Sequence, residues 1–232
     1  MPALLFDLEH QSYPCNNTQV DFFKYLGIIA VRHVESKMDL LRQLLRERGA
    51  LRPRQLVERG IPGDYLDRLY RRGEVERIGR GLYALSDADV TEHHSLVAAC
   101  RLIPRGVVCL ISALSFHGIT TQVPHDVWLA LPNKAWAPHV ENPQVRVVRY
   151  SGTALTEMIE EHEVEKARVR VYTIAKTVAD CFKFRNAVGL NVALEALRDC
   201  WRGRRATMDQ LMAAARVCRM ENVMRPYLES LV

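Results

Sequence analysis

Between Met38 and Leu85 the apolar positions first repeat with a helical period and then with a strand period. In Met38–Arg48, Leu40, Leu41, Leu44 and Leu45 recur at the i, i+3, i+4 spacing that gives a helix one buried stripe. Gly49 stops that helix, because glycine tolerates the left-handed turn beyond a C-cap. Pro53 suits the first turn of a second helix, where its missing N–H has no intrahelical use. Leu56 and Val57 bury this helix and Gly60 ends it. Pro62-Gly63-Asp64 offers a third start with Asp64 as the cap; Leu66, Leu69 and Tyr70 supply the inward face, and Gly73 closes the helix. Val75 and Ile78 then lead into Gly79-Arg80-Gly81 and out through Leu82, Tyr83 and Leu85, a strand-turn-strand pattern. Glycines on either side of one arginine permit the positive φ values of a hairpin loop.

Three short helices followed by a hairpin are the element order of a winged helix-turn-helix. The charge on this segment sharpens that expectation. Residues 38–85 hold eleven arginines and no lysine against seven acids, a net charge of +4. Tyr65, Arg68, Arg71 and Arg72 fall away from the apolar stripe of the third helix. Arg77 and Arg80 sit on or beside the wing, and Arg52 and Arg54 flank the start of the second helix. Arginine presents a planar fork that matches phosphate and guanine edges, so the bias against lysine points to duplex DNA. The plainer alternative is a small helical domain with a solvated basic surface.

Downstream the pattern changes. Ser86-Asp87-Ala88-Asp89 reads as a polar linker, and residues 92–232 are richer in valine and alanine. The periodicity predicts helices over 92–103, 174–184, 188–201 and 208–220. It predicts strands over 107–111, 126–131, 144–150 and 169–172, and a helix at 112–117 capped by Ser112. Strands and helices are partly segregated, so the whole is expected to be α+β: a winged helix-turn-helix at 38–85 followed by a mixed α+β domain at 92–232.

The chain has 232 residues, 48% hydrophobic and 25% charged, with a net charge of +5, which favours anionic partners. No apolar run reaches the length of a membrane span. Six scattered cysteines (Cys15, Cys100, Cys109, Cys181, Cys200, Cys218) form no CxxC pair and read as buried thiols in a reducing cytoplasm. Residues 1–37 form an N-terminal extension without a signal-peptide pattern: either a short element packed on the body or a weakly ordered stretch upstream of the true start.

No catalytic constellation emerges. His93, His94, His117 and His125 lack an HExxH spacing or a carboxylate pair, and read better as polar residues at element ends than as metal ligands. A nuclease motif needs an acid two residues before its lysine, but Pro132 precedes Lys134 and Val164 precedes Lys166. There is no GxSxG and no P-loop. Ser112 and Ser115 have no activating context. The expectation is therefore a protein that is not an enzyme and needs no cofactor or metal; a nuclease with unrecognised residues is the enzyme-class alternative.

The run from Asp64 to Leu85, with LDRLYRRGEVERIGRGLYAL, resembles the N-terminal domain of AbiEi-type antitoxins of bacterial type IV toxin–antitoxin systems. The likeness extends more weakly to about residue 225, through LALP at 129–132 and Tyr172–Asp180. In the latter, Ile174-Ala175-Lys176 replaces a frequent Pro-Glu-Arg. Met38 sits where the family's domain usually begins. The resemblance implies a repressor of its own operon that binds promoter repeats, with a homodimer on DNA as one arrangement. It also implies neutralisation of a nucleotidyltransferase-like toxin without a stable complex. Lys176, Thr177 and Asp180 are then candidates for an antitoxicity surface, against the simpler account of a cap or an i, i+4 ion pair. The other regulatory alternative is a solitary winged-helix transcription factor whose second domain senses a ligand or dimerises.

Overall fold

Ser36 opens the first helix by accepting a hydrogen bond from the Asp39 backbone N–H at 3.2 Å, satisfying one of the orphan donors of a helix N-terminus. A computed structural model describes residues 36–87, 91–120, 122, 124–138, 140 and 142–231. The reading of residues 1–37 as an extension lies, but for its last two, outside the described residues, as do Ala88 and Asp89 of the polar linker and Cys15.

Helix α1 (Lys37–Arg48) ends at Gly49, whose φ of 71° is the positive value expected for the stop. Strand β1 (Ala50–Leu51), helix α2 (Pro53–Val57) and helix α3 (Asp64–Arg71) follow. Strands β2 (Val75–Gly79) and β3 (Leu82–Leu85) form the hairpin, and β1 pairs antiparallel with β3 to give the order β1-β3-β2. Leu41, Leu44, Leu45, Leu51, Leu56, Ile61, Leu66, Leu69 and Val75 make one buried cluster inside this segment. The structure corrects three details of the sequence reading. Val57 does not help to bury α2 but is 66% exposed, since Leu56 alone of that five-residue helix is buried. Asp64 is the first residue of α3 and makes no cap bond; Gly63 occupies the cap position. Tyr70 does not face inward but is 50% exposed, because Leu66 and Leu69 already fill the inner face of so short a helix.

The remainder is an α+β layer structure. Helix α4 (His94–Leu102) leads to strand β4 (Val107–Val108), helix α5 (Leu110–Phe116) and strands β5 (Val127–Pro132) and β6 (Val145–Tyr150). Then come α6 (Thr153–Thr156), β7 (Ile159–Val164), β8 (Ala167–Tyr172), α7 (Ile174–Lys183) and α8 (Arg185–Val188). Helices α9 (Leu190–Arg202), α10 (Met208–Cys218) and α11 (Glu221–Glu229) end the described chain. The sheet order is β6-β5-β4-β8-β7, with β5–β6 and β4–β8 parallel and the other pairings antiparallel. Alternation along the strands divides the core between the two faces. Val107, Trp128, Ala130, Tyr150 and Tyr172 join the cluster of α7, α9 and α10; Val108, Leu129, Leu131, Val169 and Val171 join α4.

The apolar run at 107–111 is strand for only two residues. Cys109 is extended with φ −141°, and α5 begins at Leu110, two residues earlier than expected. Ser112 is therefore inside the helix rather than its cap. Its hydroxyl instead accepts from the Trp128 backbone N–H at 2.9 Å, tying α5 to β5. Strand β7 escaped the sequence reading because IEEHEV carries acids on an edge that water covers on one side. Helix α11 escaped it because Pro226 lies within it.

The helix–hairpin segment meets the layered half at the turn between β7 and β8. Glu165 and Lys166 link β7 to β8 with φ of 48° and 58°, the left-handed pair of a tight two-residue hairpin. The Lys166 ammonium donates to the Arg46 carbonyl and Arg101 to the Glu165 carbonyl. The Glu165 carboxylate accepts from Thr91 N–H at 2.9 Å and Thr91 Oγ1 at 2.8 Å and lies 3.0 Å from His94 Nδ1. Burial raises the Glu165 pKa, but these bonds from Thr91 and His94 outweigh it and hold the carboxyl below its ordinary value.

Gly49 is the point where this junction is tightest. A Cβ there would stand 2.1 Å from the Arg101 guanidinium and 2.9 Å from the Glu165 carbonyl oxygen, whereas one on Gly60 (φ 69°) would meet nothing within 4 Å. A side chain at either glycine is strained by the positive φ, at a cost on the order of 1–3 kcal/mol. Only Gly49→Ala also displaces the junction. Thermal unfolding of the two variants is expected to show the larger loss for Gly49→Ala; equal losses would mean that the turn at 165–166 does not bear on α1.

Candidate nucleic-acid interface

Helix α3 turns about 100° per residue, so Leu66 and Leu69, both buried, place Asp64, Asp67, Arg68 and Arg71 on the opposite, solvent side. Arg72 follows as the exposed cap residue. Tyr65 is half-buried against the leucine cluster, with the Arg68 guanidinium 5.2 Å from its ring centroid. Arg68 also contacts Asp64 at 3.3 Å, with the two side chains 59% and 56% exposed. Such a pair is worth little in water and exchanges readily for phosphate. Tyr70 meets Tyr83 edge-on at 6.0 Å, bracing α3 against the hairpin.

The wing is shaped by an irregularity. The β2–β3 register shifts between Arg77 and Gly79, and Gly81 takes a φ of 63°. Arg80 stands exposed at the tip, while Arg77 is exposed and donates to the Gly79 carbonyl at 3.2 Å. Arg54 is exposed on α2. Arg52 is half-buried at its start, where its backbone N–H donates to the Gln55 side chain at 2.8 Å. Among the described residues, Arg54, Arg71, Arg77 and Arg80 have no carboxylate at ion-pair distance, and Arg72 only Glu74 at 3.9 Å.

Not every arginine of the segment is available. Arg42 grips both oxygens of Glu74 at 2.9 and 3.2 Å and contacts Asp39 at 2.9 Å. This fork clamps α1 to the turn before β2, and the Arg42 hydrogen bond holds the Glu74 carboxyl below its ordinary value. The spacing of Arg42 and Glu74, 32 residues apart, carried no sequence signal. The arrangement can therefore offer phosphates a cationic rim made of α2, the outer face of α3 and the wing. The carboxylates of Asp64 and Asp67 at the start of α3 shift the anion-attracting part of that helix toward Arg68, Arg71 and Arg72.

Lys176, Thr177 and Asp180 are placed elsewhere and differently from a surface. All three are fully buried, at 0% exposure. Thr173 caps α7, and within the helix Lys176 Nζ lies 2.6 Å from Asp180 Oδ2. The ammonium also lies 4.0 Å from the Tyr172 ring centroid and 5.0 Å from that of Tyr150. Cys218 Sγ donates to Asp180 Oδ1 at 3.1 Å, and Thr177 Oγ1 donates to the Tyr172 carbonyl at 3.2 Å. The residues are thus core groups rather than an antitoxicity surface, because α7 is covered on every side by the sheet, α5, α9, α10 and α11. Burial raises the Asp180 pKa, with Lys176 opposing it.

The histidines resolve into packing roles. His93 stacks on Phe116 at 5.0 Å, His94 faces Glu165, and His117 lies 2.8 Å from the Tyr172 carbonyl with its pKa lowered by burial. Cys100, Cys109, Cys181, Cys200 and Cys218 are buried and free; burial pushes Cys100 up to about 12 and Cys200 up to about 11. Among the described residues, no group of three or more His, Cys, Asp or Glu is placed to hold a metal ion. None of their helices is long and apolar enough to cross a membrane.

Residues 39–86 match the family model described as "Transcriptional regulator, AbiEi antitoxin". A search of curated proteins finds no match. The matched stretch is the three helices and the hairpin; the LALP strand and the Lys176–Asp180 helix lie outside it.

The buried ion pair generates a test. Removing one charge leaves the other uncompensated in the core, so Asp180→Leu or Lys176→Met alone is expected to cost about 3–5 kcal/mol. The double variant Lys176→Met/Asp180→Leu is expected to recover much of that loss in urea unfolding. If the two single losses sum to the loss of the double variant, the pair is not electrostatically coupled.

Proposed function

We propose that this chain, carrying an AbiEi-type antitoxin-regulator domain at residues 39–86, represses its own operon by binding repeats in the promoter, and that it counters a nucleotidyltransferase-like toxin without forming a stable complex with it. One observation supports DNA binding most directly: Arg54, Arg71, Arg77 and Arg80 are exposed on neighbouring elements with no carboxylate partner among the described residues. Phosphate contacts from such residues position the protein, and side chains of the helix entering the major groove read bases. Arg68 and Tyr65 are assigned to the reading face of α3. Arg80, at the wing tip, is assigned to the backbone. A homodimer on paired repeats would give each protomer one half-site.

The division of labour between 38–85 and 92–232 belongs to the same proposal, with repression requiring the first and antitoxicity residing in the second. The burial of Lys176, Thr177 and Asp180 moves the search for that activity to the exposed faces of the layered half.

If six arginines (Arg54, Arg68, Arg71, Arg72, Arg77, Arg80) displace condensed counterions, affinity for a promoter duplex is expected to fall about a thousandfold between roughly 50 and 200 mM salt. Gel-shift titration at several salt concentrations measures the slope, and a flat response would exclude the electrostatic account. In the same assay Arg68→Ala should narrow the gap between promoter and random duplex. Arg80→Ala should weaken both by a similar factor. Identical behaviour of the two variants would show that α3 is not the reading element.

Antitoxicity is separable by using the full chain. A variant carrying Arg68→Ala, Arg71→Ala and Arg80→Ala, expressed from a foreign promoter, is expected to lose repression of a promoter reporter yet still rescue growth when the neighbouring toxin gene is induced. Loss of rescue by a folded variant would tie antitoxicity to DNA binding. Co-elution of chain and toxin in size exclusion would contradict action without a stable complex.

A further inference from the structure

Trp136 is the most exposed of the large apolar side chains in the described chain, at 82%. It lies between β5 and β6, and the backbone just before it, at 132–135, is fastened down. The Arg149 guanidinium donates to the Pro132 carbonyl at 2.9 Å and to the Ala135 carbonyl at 2.6 Å. Ala135 N–H closes a turn onto the Pro132 carbonyl at 3.0 Å. Ala135, Ala137 and Val140 pack on the buried cluster of the α4 face. The neighbours of Trp136 therefore point inward, and the fixed backbone holds the indole out. Tryptophan ordinarily contributes a large buried area, so a tethered loop that presents one to solvent is displaying a contact surface.

What it faces is the wing. Trp136, Pro138, Val140 and Asn142 line a groove of about 670 Å³ together with Arg52, Arg77 and Arg80. Leu102 of α4 also lines it, and sits so close to Gly79 that a Cβ on that glycine would come within 2.2 Å of it. The wing thus rests directly on the layered half. The described lining contains arginine but no carboxylate. A groove lined by arginines of the helix–hairpin segment and by an exposed indole of the layered half is complementary to a sugar–phosphate strand, which offers both anionic oxygens and apolar deoxyribose and base edges.

We infer that this groove carries one backbone strand of the bound duplex, with Arg52, Arg77 and Arg80 on its phosphates and Trp136 packed on its sugars and base edges. The inference rests on the DNA-binding reading above and extends it: the layered half supplies a contact of its own, and the wing does not act alone. Trp136 is a binding residue whose contact is with the faces of the strand, so it adds affinity on any sequence, unlike Arg68.

The test uses the full chain and two probes, a duplex from upstream of its own reading frame and a random duplex of equal length. Trp136→Ala is expected to weaken both by about tenfold, the order of one aromatic–nucleotide contact, while Trp136→Phe retains most of the affinity. The side chain is exposed, so folding is expected to be unchanged by circular dichroism. A second readout is intrinsic fluorescence. Trp128 is buried and Trp201 half-buried, so a change in emission on adding duplex should vanish in Trp136→Phe. Unaltered affinity in Trp136→Ala, with an emission change that survives in Trp136→Phe, would overturn the inference and leave the DNA-binding reading standing. No binding of either duplex by the wild-type chain would sink that reading itself. A shift in sedimentation of the DNA-free protein caused by Trp136→Ala would assign the groove to contact between copies, and tighter binding to single strands than to duplex would also overturn the proposal.

Discussion

An ammonium and a carboxylate share the centre of the layered half. Lys176 and Asp180 sit one turn apart on α7, and every residue from Ala175 to Phe182 is buried. Taking either charge out of water alone is costly, so the pair, the Tyr172 ring beneath the ammonium and the Cys218 thiol on the second carboxylate oxygen must all be in place together. Those partners come from β8, α7 and α10. The sheet and the helical layer are thereby set in one relation to each other, since a shifted α10 would remove the thiol and a shifted β8 the ring. An apolar core of the same volume would tolerate such shifts more readily.

From that layer the constraint passes outward through β8. Its neighbour β7 turns back at Glu165–Lys166, and this turn meets the end of α1 through the Arg46 carbonyl and the close approach at Gly49. Arg101 and His94 of α4 brace the same turn. A second support lies at the wing, where Gly79 lies against Leu102. The helix–hairpin segment is held at both α1 and β2, so α3 and the wing tip are carried as one piece. Basic side chains on a braced frame lose less freedom on meeting a polyanion than the same side chains on a loose one.

The helix–hairpin segment was largely legible from sequence because its determinants are local. Leucine spacing, Gly49, Pro53 and the Gly79-Arg80-Gly81 turn act within a few residues of themselves, and their consequences hardly depend on the rest of the chain. The errors there were equally local: the five residues of α2 bury only Leu56 and leave Val57 outside, and the eight residues of α3 bury only two positions, which left Tyr70 outside and Tyr65 partly in. In the layered half the long helices and most strands declared themselves by period. Strand β7 did not, since an edge strand with acids on it is stabilised by its partner β8 and not by its own pattern.

The sequence by itself determined the elements of the basic segment, its arginine bias and the absence of a familiar catalytic spacing, because each of these is a property of neighbours along the chain. Only the tertiary structure decided which arginines remain free, since Arg42 is consumed by Glu74, 32 residues away, through a contact that no spacing foretells. It also decided that Lys176, Thr177 and Asp180 are core and that Trp136 is surface. Polarity along the chain suggests the reverse, but burial depends on what packs over a side chain: four helices and a sheet enclose α7, while a tethered loop holds the indole in solvent beside the wing.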